Sequence, residues 1–308
     1  MIEIRRILCP VDFSDFSRRA LDHAVAVARW YEATVTLLNV CSAVPVVAYA
    51  PGTLPVPPVV LSDEDRQDIR TLLEEFAASE TGLNVPLEFE VREGNVAQEV
   101  LAAANAIPAD LIVLGTHGRS GFERLMLGSV TEKVLRKATC PVLTVPRNTP
   151  EAVPASPVLF RRILCAVDFS PCSIHALEYA LSLAQEADAH LTVAHVVEVP
   201  PRVPPEGRDT PLTPPRSLRE YIASAEQDRR SRLEKLIPDD VRSYCSVETI
   251  LASGKPDREL LRIAAQQQTE LIVVGVHGRT AADLFFFGST AQHVVREATC
   301  PVLTLRHE

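Results

Sequence analysis

The chain is expected to be an α/β protein made of two repeated doubly wound domains, each a five-stranded parallel sheet covered by helices on both faces. Three observations predict this. Arg5-Arg6-Ile7-Leu8-Cys9-Pro10-Val11-Asp12-Phe13-Ser14 returns as Arg161–Ser170 with one change, and Ala138-Thr139-Cys140-Pro141-Val142-Leu143-Thr144 returns unchanged as Ala298–Thr304. Short β-branched or apolar runs alternate with helix-periodic segments in each copy, the pattern of a parallel sheet with crossover helices. The spacing Gly-x-x-Gly, nine residues, Gly-Ser also occurs twice, and it uses six of only 12 glycines.

Element by element, Ile7 to Val11 reads as a first strand ending at Asp12, and Ser14 as the cap of a helix that places Leu21, Ala24, Val25 and Ala28 on one side. Thr34 to Val40 is a β-branched second strand. A proline-rich excursion from Ser42 to Leu61 follows, and Ser62-Asp63-Glu64-Asp65 opens a second helix with the acidic first turn that a helix start favours. Leu87 to Val91 alternates with Glu88 and Glu90, as a strand with one wet face does. Asn95 caps a helix to Ala106, Leu111–Leu114 is a buried strand ending at Gly115, Gly128–Ala138 is the last helix and Val142–Val145 the last strand. Copy two keeps the order, with Pro256 suited to the first turn of its third helix. The offset between copies is 156 at the first match and 160 at the last, so copy two carries a net insertion. The expected boundaries are residues 1–147 for domain one, a proline-rich linker at 148–158, and 159–308 for domain two.

Composition narrows the function. With 46% hydrophobic and 23% charged residues, each half can bury a core. A formal net charge of −9 argues against nucleic acid or an anionic membrane as partner. No run approaches the roughly 20 apolar residues of a membrane helix, no signal sequence is evident, and a cytoplasmic protein is expected. Seven cysteines without any Cys-x-x-Cys read as reduced thiols, and no protein-only metal site is expected.

Glycine loops that leave a strand and feed a helix opening with Gly-Ser present bare N–H groups to an anion. Ligands of doubly wound sheets bind beyond the carboxyl ends of strands, where Asp12 and Gly115 both fall. This arrangement, with the terminal Cys-Pro-Val strand, resembles the universal stress protein family in its tandem, ATP-binding form, over both halves apart from the linker and the proline-rich excursions. The resemblance implies an adenine nucleotide alpha hydrolase-like fold that holds ATP, ADP or AMP, with Mg²⁺ on the phosphates, in a regulatory role in stress response. It places phosphates at Gly115, Gly118, Gly128 and Ser129, and at Gly275, Gly278, Gly288 and Ser289. Thr116, His117, Arg119, Ser120, Val130 and Thr131 would line the first cradle, with His277, Arg279 and Thr290 in the second. Asp12 and Asp168 would sit beside the nucleoside. Pro10 and Ala166, with Val40 and Val196, would flank adenine. The strands Val142–Val145 and Val302–Leu305 would pair antiparallel, making a pseudo-dimer within one chain, and dimerisation of the whole chain stays open.

The residues also admit plainer roles. The glycines could serve tight turns and close packing, Asp12 could cap the next helix, and His117 and His277 could pack locally. Arg119 and Arg279 could be solvated, and the proline-rich runs Pro45–Pro58 and Pro200–Pro215 could be surface loops. Residues 115–140 carry five cations against two anions, a net +3, whereas 275–300 balance to zero. On that count copy one is expected to hold a triphosphate more tightly, and Phe285-Phe286-Phe287 to pack in the core or at a domain interface. Neither loop has the lysine of a P-loop, no Ser-Gly-Gly-x-Asp-Ser follows the first strand, and the third strand ends in Arg92-Glu93-Gly94 instead of a phosphoacceptor aspartate. Binding is therefore expected over efficient turnover, with a slow ATPase or a ligand-free scaffold as the alternatives.

Overall fold

The computed structural model describes residues 2–42, 61–78, 85–116, 127–146, 160–198, 216–239, 241–277 and 287–306. The first half runs β1 (Arg6–Pro10), α1 (Asp15–Tyr31), β2 (Thr34–Cys41), α2 (Asp63–Phe76), β3 (Leu87–Glu93), α3 (Val96–Ala106), β4 (Leu111–Gly115), α4 (Ser129–Lys137) and β5 (Val142–Val145). The second runs β6 (Arg162–Ala166), α5 (Pro171–Glu186), β7 (His190–Val197), α6 (Arg216–Glu234), a short α7 (Val241–Tyr244), β8 (Ser246–Ser253), α8 (Pro256–Gln266), β9 (Leu271–Gly275), α9 (Ser289–Glu297) and β10 (Val302–Leu305). The expected strands and helices are all present, most with ends within two residues of the sequence reading. The linker 148–158 and both proline-rich runs lie outside the described residues.

Why these segments take these forms is visible at their ends. Ser14, Ser62, Asn95 and Ser170 each accept a hydrogen bond from a first-turn backbone N–H, satisfying donors that a helix cannot satisfy itself. Ser62 and Asp65 form a reciprocal capping box. Pro256 stands in the first turn of α8, where its missing N–H costs nothing.

The ten strands form one sheet in the order β3-β2-β1-β4-β5-β10-β9-β6-β7-β8. Pairing within each half is parallel, and β5 meets β10 antiparallel in the register Val302↔Thr144, Leu303↔Leu143, Thr304↔Val142. The junction is close to two-fold symmetric in its side chains. Thr144 Oγ1 donates to the Val302 carbonyl at 3.2 Å, and Thr304 Oγ1 donates to the Val142 carbonyl at 3.1 Å. Each half thus hides an edge strand that would otherwise recruit another chain.

Alternation along the strands sorts the core into two layers. Ile7, Cys9, Val35, Leu37, Leu111 and Val113 face α1 and α2, and the equivalent residues of copy two continue that layer against α5 and α6. Leu8, Leu38, Ile112 and Leu114 face α3 and α4 on the other side, continuous with the layer under α8 and α9. Both layers cross the junction, so the halves share their core. Phe160 is 2% exposed and packs against Trp30 and His23 of the first half, with centroids 6.0 and 6.1 Å apart. Tyr31 Oη lies 3.1 Å from Ser182 Oγ across the same seam. All seven cysteines are free thiols, and burial pushes the Cys140 thiol up to about 11 and the Cys300 thiol up to about 12.

His23 carries a pH dependence. Burial, partly countered by its Nδ1 contact with the Arg19 carbonyl at 2.7 Å, pulls its pKa down to about 4. The folded ring therefore stays neutral where the unfolded ring, with a pKa near 6.5, takes a proton. This penalty is absent above about pH 6.5 and grows as pH falls, to about 2 kcal/mol at pH 5. Urea unfolding at pH 7.5 and pH 5 is expected to show that component in the wild type and to lose it in His23→Gln; equal slopes in the two proteins would refute it.

Candidate functional site

Four strand ends build the crest of each half. In the first, Asp12 follows β1, and its Oδ1 accepts from Ser14 N at 3.1 Å and from Ser14 Oγ at 2.5 Å. Asp168 repeats this with Ser170, at 2.9 and 2.5 Å. The capping role that the sequence allowed for Asp12 is therefore real. Between aspartate and serine, Phe13 and Phe169 sit at φ 63° and 65°, a left-handed conformation that a bulky side chain adopts only under constraint. Packing supplies that constraint. Phe13 meets Phe76 edge-on at 5.6 Å, while Phe169 lies between contacts to His195 at 4.6 Å and to the Arg232 guanidinium at 4.3 Å. The strained turn aims each aspartate at the crest.

The second wall is the glycine loop. Thr116 N donates to the Val145 carbonyl at 3.0 Å, and Gly128 N donates back to the Thr116 carbonyl at 2.8 Å. Copy two repeats the pair as Val276 N to Leu305 O, 2.8 Å, and Gly288 N to Val276 O, 2.7 Å. This return brings the start of α4 or α9 beside the strand end. Gly288 is glycine for a steric reason, because a Cβ there would sit 2.7 Å from the Val276 carbonyl oxygen. Gly275 is likewise confined, its added Cβ meeting the Cys172 carbonyl carbon at 2.9 Å. For these two positions, close packing alone demands glycine.

Helices α4 and α9 differ from α1, α2, α3 and α5. Their N-caps are Gly128 and Gly288, and among the described residues no side-chain cap bonds to their first-turn N–H groups. Ser129 and Ser289 are exposed at the first helical position. In copy two these parts enclose an open cavity of about 960 Å³, whose lining includes Ala166, Asp168, Val196, Gly275, His277 and Gly288. An anion entering it would meet unpaired donors at the positive end of a helix.

Comparison with known proteins fixes the family. The universal stress protein family profile matches residues 3–146 and again 159–306. The chain belongs to the universal stress protein family. A universal stress protein of Mycolicibacterium smegmatis is 28% identical over 306 residues, covering 97% of this chain and 96% of that one. One from Methanocaldococcus jannaschii is 36% identical over 148 residues, 48% of this chain and 85% of its own. A solved universal stress protein from Archaeoglobus fulgidus has the same fold, with a TM-score of 0.65 at 21% identity over 99% of this chain and 97% of that one.

Within this universal stress protein fold, the structure gathers Ala166, Asp168, Val196, Gly275, His277 and Gly288 at the crest of copy two. In copy two, Thr290 and Ser289 join the lining already named. Pro10 and Val40 occupy the same positions in copy one, on β1 and β2. His277 is buried against the loop, with its carbonyl taking a hydrogen bond from Ser170 Oγ at 3.4 Å. Thr131 is placed differently from expectation. It is 3% exposed and donates to the Gly115 carbonyl at 2.9 Å, so it fastens helix to strand end. Thr116 is also buried, and its backbone amide and carbonyl serve the loop return. Gly115 ends β4, and Val130 is half-buried in the first turn of α4. His117, Gly118, Arg119, Ser120, Gly278 and Arg279 lie outside the described residues.

Sequence reasoning missed His195, Glu198, Arg229 and Phe287, which all line the cavity. His195 was legible as the neighbour of Val196 at a strand end. Its Nδ1 meets the Val167 carbonyl at 2.7 Å, the contact that Asn39 Nδ2 makes with Val11 at 2.8 Å in copy one. Phe287 is 8% exposed and packs in the core, one of the two places expected for the Phe run, while Phe285 and Phe286 lie outside the described residues.

The steric account of Gly288 is testable alone. Gly288→Ala is expected to cost about 2 kcal/mol in urea unfolding, as overpacking against a rigid backbone oxygen does. A loss below about 0.5 kcal/mol would show that the return loop has slack.

Proposed function

We propose that the protein is an adenine-nucleotide-binding regulatory protein of the stress response, acting in the cytoplasm, with one ATP at the crest of each half. The observation that carries this reading is the pair of uncapped helix starts beside a strand-end aspartate. Among the described residues, Ser14, Ser62, Asn95 and Ser170 use their side chains on first-turn N–H groups, and α8, uncapped after Lys255, opens with Pro256, which has no N–H to satisfy. At α4 and α9 glycine leaves those groups facing the crest. The copy-two cavity, about 960 Å³, has the size of a nucleotide-scale pocket. Phosphates would take the helix start, ribose hydroxyls the Asp168 carboxylate, and adenine the apolar end between Ala166 and Val196. Mg²⁺ would sit on the phosphates near the Ser129 and Ser289 hydroxyls; Thr131 is committed to the strand end. ADP and AMP carry the same adenosine and engage fewer donors.

The charge difference between copies shrinks once placed in space. Arg136 and Lys137 lie in the last turn of α4, and Arg136 pairs with Glu132 at 2.8 Å. At about 1.5 Å per residue they stand roughly 10 Å from the cradle, near or beyond the Debye length of about 8 Å at physiological salt. Preference for copy one therefore rests on Lys133, one turn into α4, and on Arg119 and Arg124, outside the described residues. Binding is favoured over turnover because neither glycine loop supplies a lysine to the transferred phosphate.

Glutamate suits a helix first turn, so Ser129→Glu and Ser289→Glu are expected to fold normally while repelling phosphate. In isothermal titration the wild type is expected to bind about two Mg-ATP per chain, and each variant about one fewer at unchanged melting temperature. A wild type that takes up no Mg-ATP would remove the proposal.

A further inference from the structure

Arg306 stands immediately after β10, in copy two, yet its hydrogen bonds end in copy one. Its Nη2 donates to the Leu135 carbonyl at 3.2 Å and to the Arg136 carbonyl, both in the last turn of α4. Those carbonyls have no partner further along their own helix, and a cation there opposes the negative end of the helix dipole. The matching position in copy one, 160 residues earlier, is Pro146, which has no side-chain donor. One copy grips the other, and the grip is not returned by that residue.

What Arg306 is attached to gives the contact a consequence. Gly288 N, at the start of α9, donates to the Val276 carbonyl, and Val276 N donates to the Leu305 carbonyl, one residue before Arg306. The helix that Arg306 holds starts at Ser129, where Gly128 N donates to the Thr116 carbonyl. A short run of hydrogen bonds and one nine-residue helix thus joins the copy-two cradle to the copy-one cradle. The side chain reaches over the antiparallel junction, whose strands β5 and β10 carry the carbonyls that anchor both loops, Val145 and Leu305.

We propose that Arg306 is a positioning residue for the first nucleotide site, and that through it occupancy of the second site tightens the first. This rests on the nucleotide-binding reading above. A ligand that fixes the start of α9 fixes the Val276 return, the end of β10 and hence the anchor from which Arg306 holds α4. Helix α4 is then set in place before its own ligand arrives, so that ligand loses less ordering free energy on binding. Coupling of this kind is reciprocal, so the first site tightens the second by the same factor.

The test compares Mg-ATP affinity at the first site in four proteins: wild type, Ser289→Glu, Arg306→Met and the double variant. Ser289→Glu, which closes the second site, is expected to weaken the first about fivefold, the lower range of measured couplings. In the Arg306→Met background the same closure is expected to change nothing, and Arg306→Lys, which keeps a donor and a charge, to restore part of the difference. Equal first-site affinity in wild type and Ser289→Glu overturns the proposal, as does a difference that survives Arg306→Met. Absence of Mg-ATP binding in every protein overturns the nucleotide reading itself, and is told apart because no heat appears at either site. Should Arg306→Met fail to fold, Ser129→Glu with native Arg306 decides. Filling its second site with Mg-ATP is expected to slow amide exchange in residues 129–137 about threefold, and unchanged exchange overturns the proposal.

Discussion

The antiparallel contact of β5 with β10 is the interaction on which the rest of the molecule hangs. It is short, three residue pairs, yet it turns two five-stranded sheets into one and makes both hydrophobic layers continuous across the seam. Each half alone would expose the backbone of a four-residue strand whose side chains are buried on both faces. Leu143 and Leu303, facing each other in the register, belong to the α1 and α5 layer, while Val142 and Val302 belong to the other. Burying such a strand on both sides requires helices from the two halves, which is why α1 and α5 meet around Phe160 and Tyr31. The carbonyls at the ends of these same strands, on Val145 and Leu305, hold the two glycine loops. Assembly and site geometry are therefore set by one element.

At the crest, several restraints converge that would each be unfavourable in isolation. A phenylalanine in the left-handed region costs on the order of 1–3 kcal/mol, and the starts of α4 and α9, like that of α8, forgo the side-chain cap worth roughly 1 kcal/mol that serves α1, α2, α3 and α5. The first cost is met by aromatic and cationic packing around Phe13 and Phe169. The second is not met by any side chain at the cap of α4 or α9. Local rules broken in the same way in both copies, at the same strand ends, mark the place where the fold departs from its own local preferences.

The sequence made the layered fold and its repeat legible because period-2 and helical patterning, capping residues and the Cys-Pro-Val ending are all local signals. Asn95, Ser14 and Pro256 could be assigned from their neighbours alone. What stayed hidden depends on partners distant along the chain. Nothing local says that the Thr131 hydroxyl turns to Gly115, or that Gly275 is small because Cys172 of α5 lies against it. The left-handed turn at Phe13 contradicts the preference of its own residue type, so propensity points away from it. Arg306 lies at the end of the last strand, where no local pattern points to a helix of the other half. For the glycine loops themselves, spacing found the place and structure supplied a second reason for the residue: Gly288 is needed to close the loop whether or not a phosphate is present.

Duplication explains what the two crests share, and their differences follow a consistent line. Backbone contacts are retained: Thr116 and Val276 make the same two hydrogen bonds despite unlike side chains. Where a side chain serves the backbone, its type has changed while its bond has not, as Asn39 and His195 show at the Val11 and Val167 carbonyls. Two substitutions that alter bonding, Thr131 against Ala291 and Pro146 against Arg306, bear on how α4 is held, while a third, Asn95 against Lys255, leaves α8 without the side-chain cap that α3 has. In copy one α4 is fastened at its start by its own threonine and at its end by the arginine of the other half. Helix α9 has an alanine in place of that threonine, and a proline matches the arginine. Part of the divergence thus falls on the support of a single helix, α4, held at one end by its own half and at the other by the arginine of the second, which makes that helix the natural place for the two halves to influence each other.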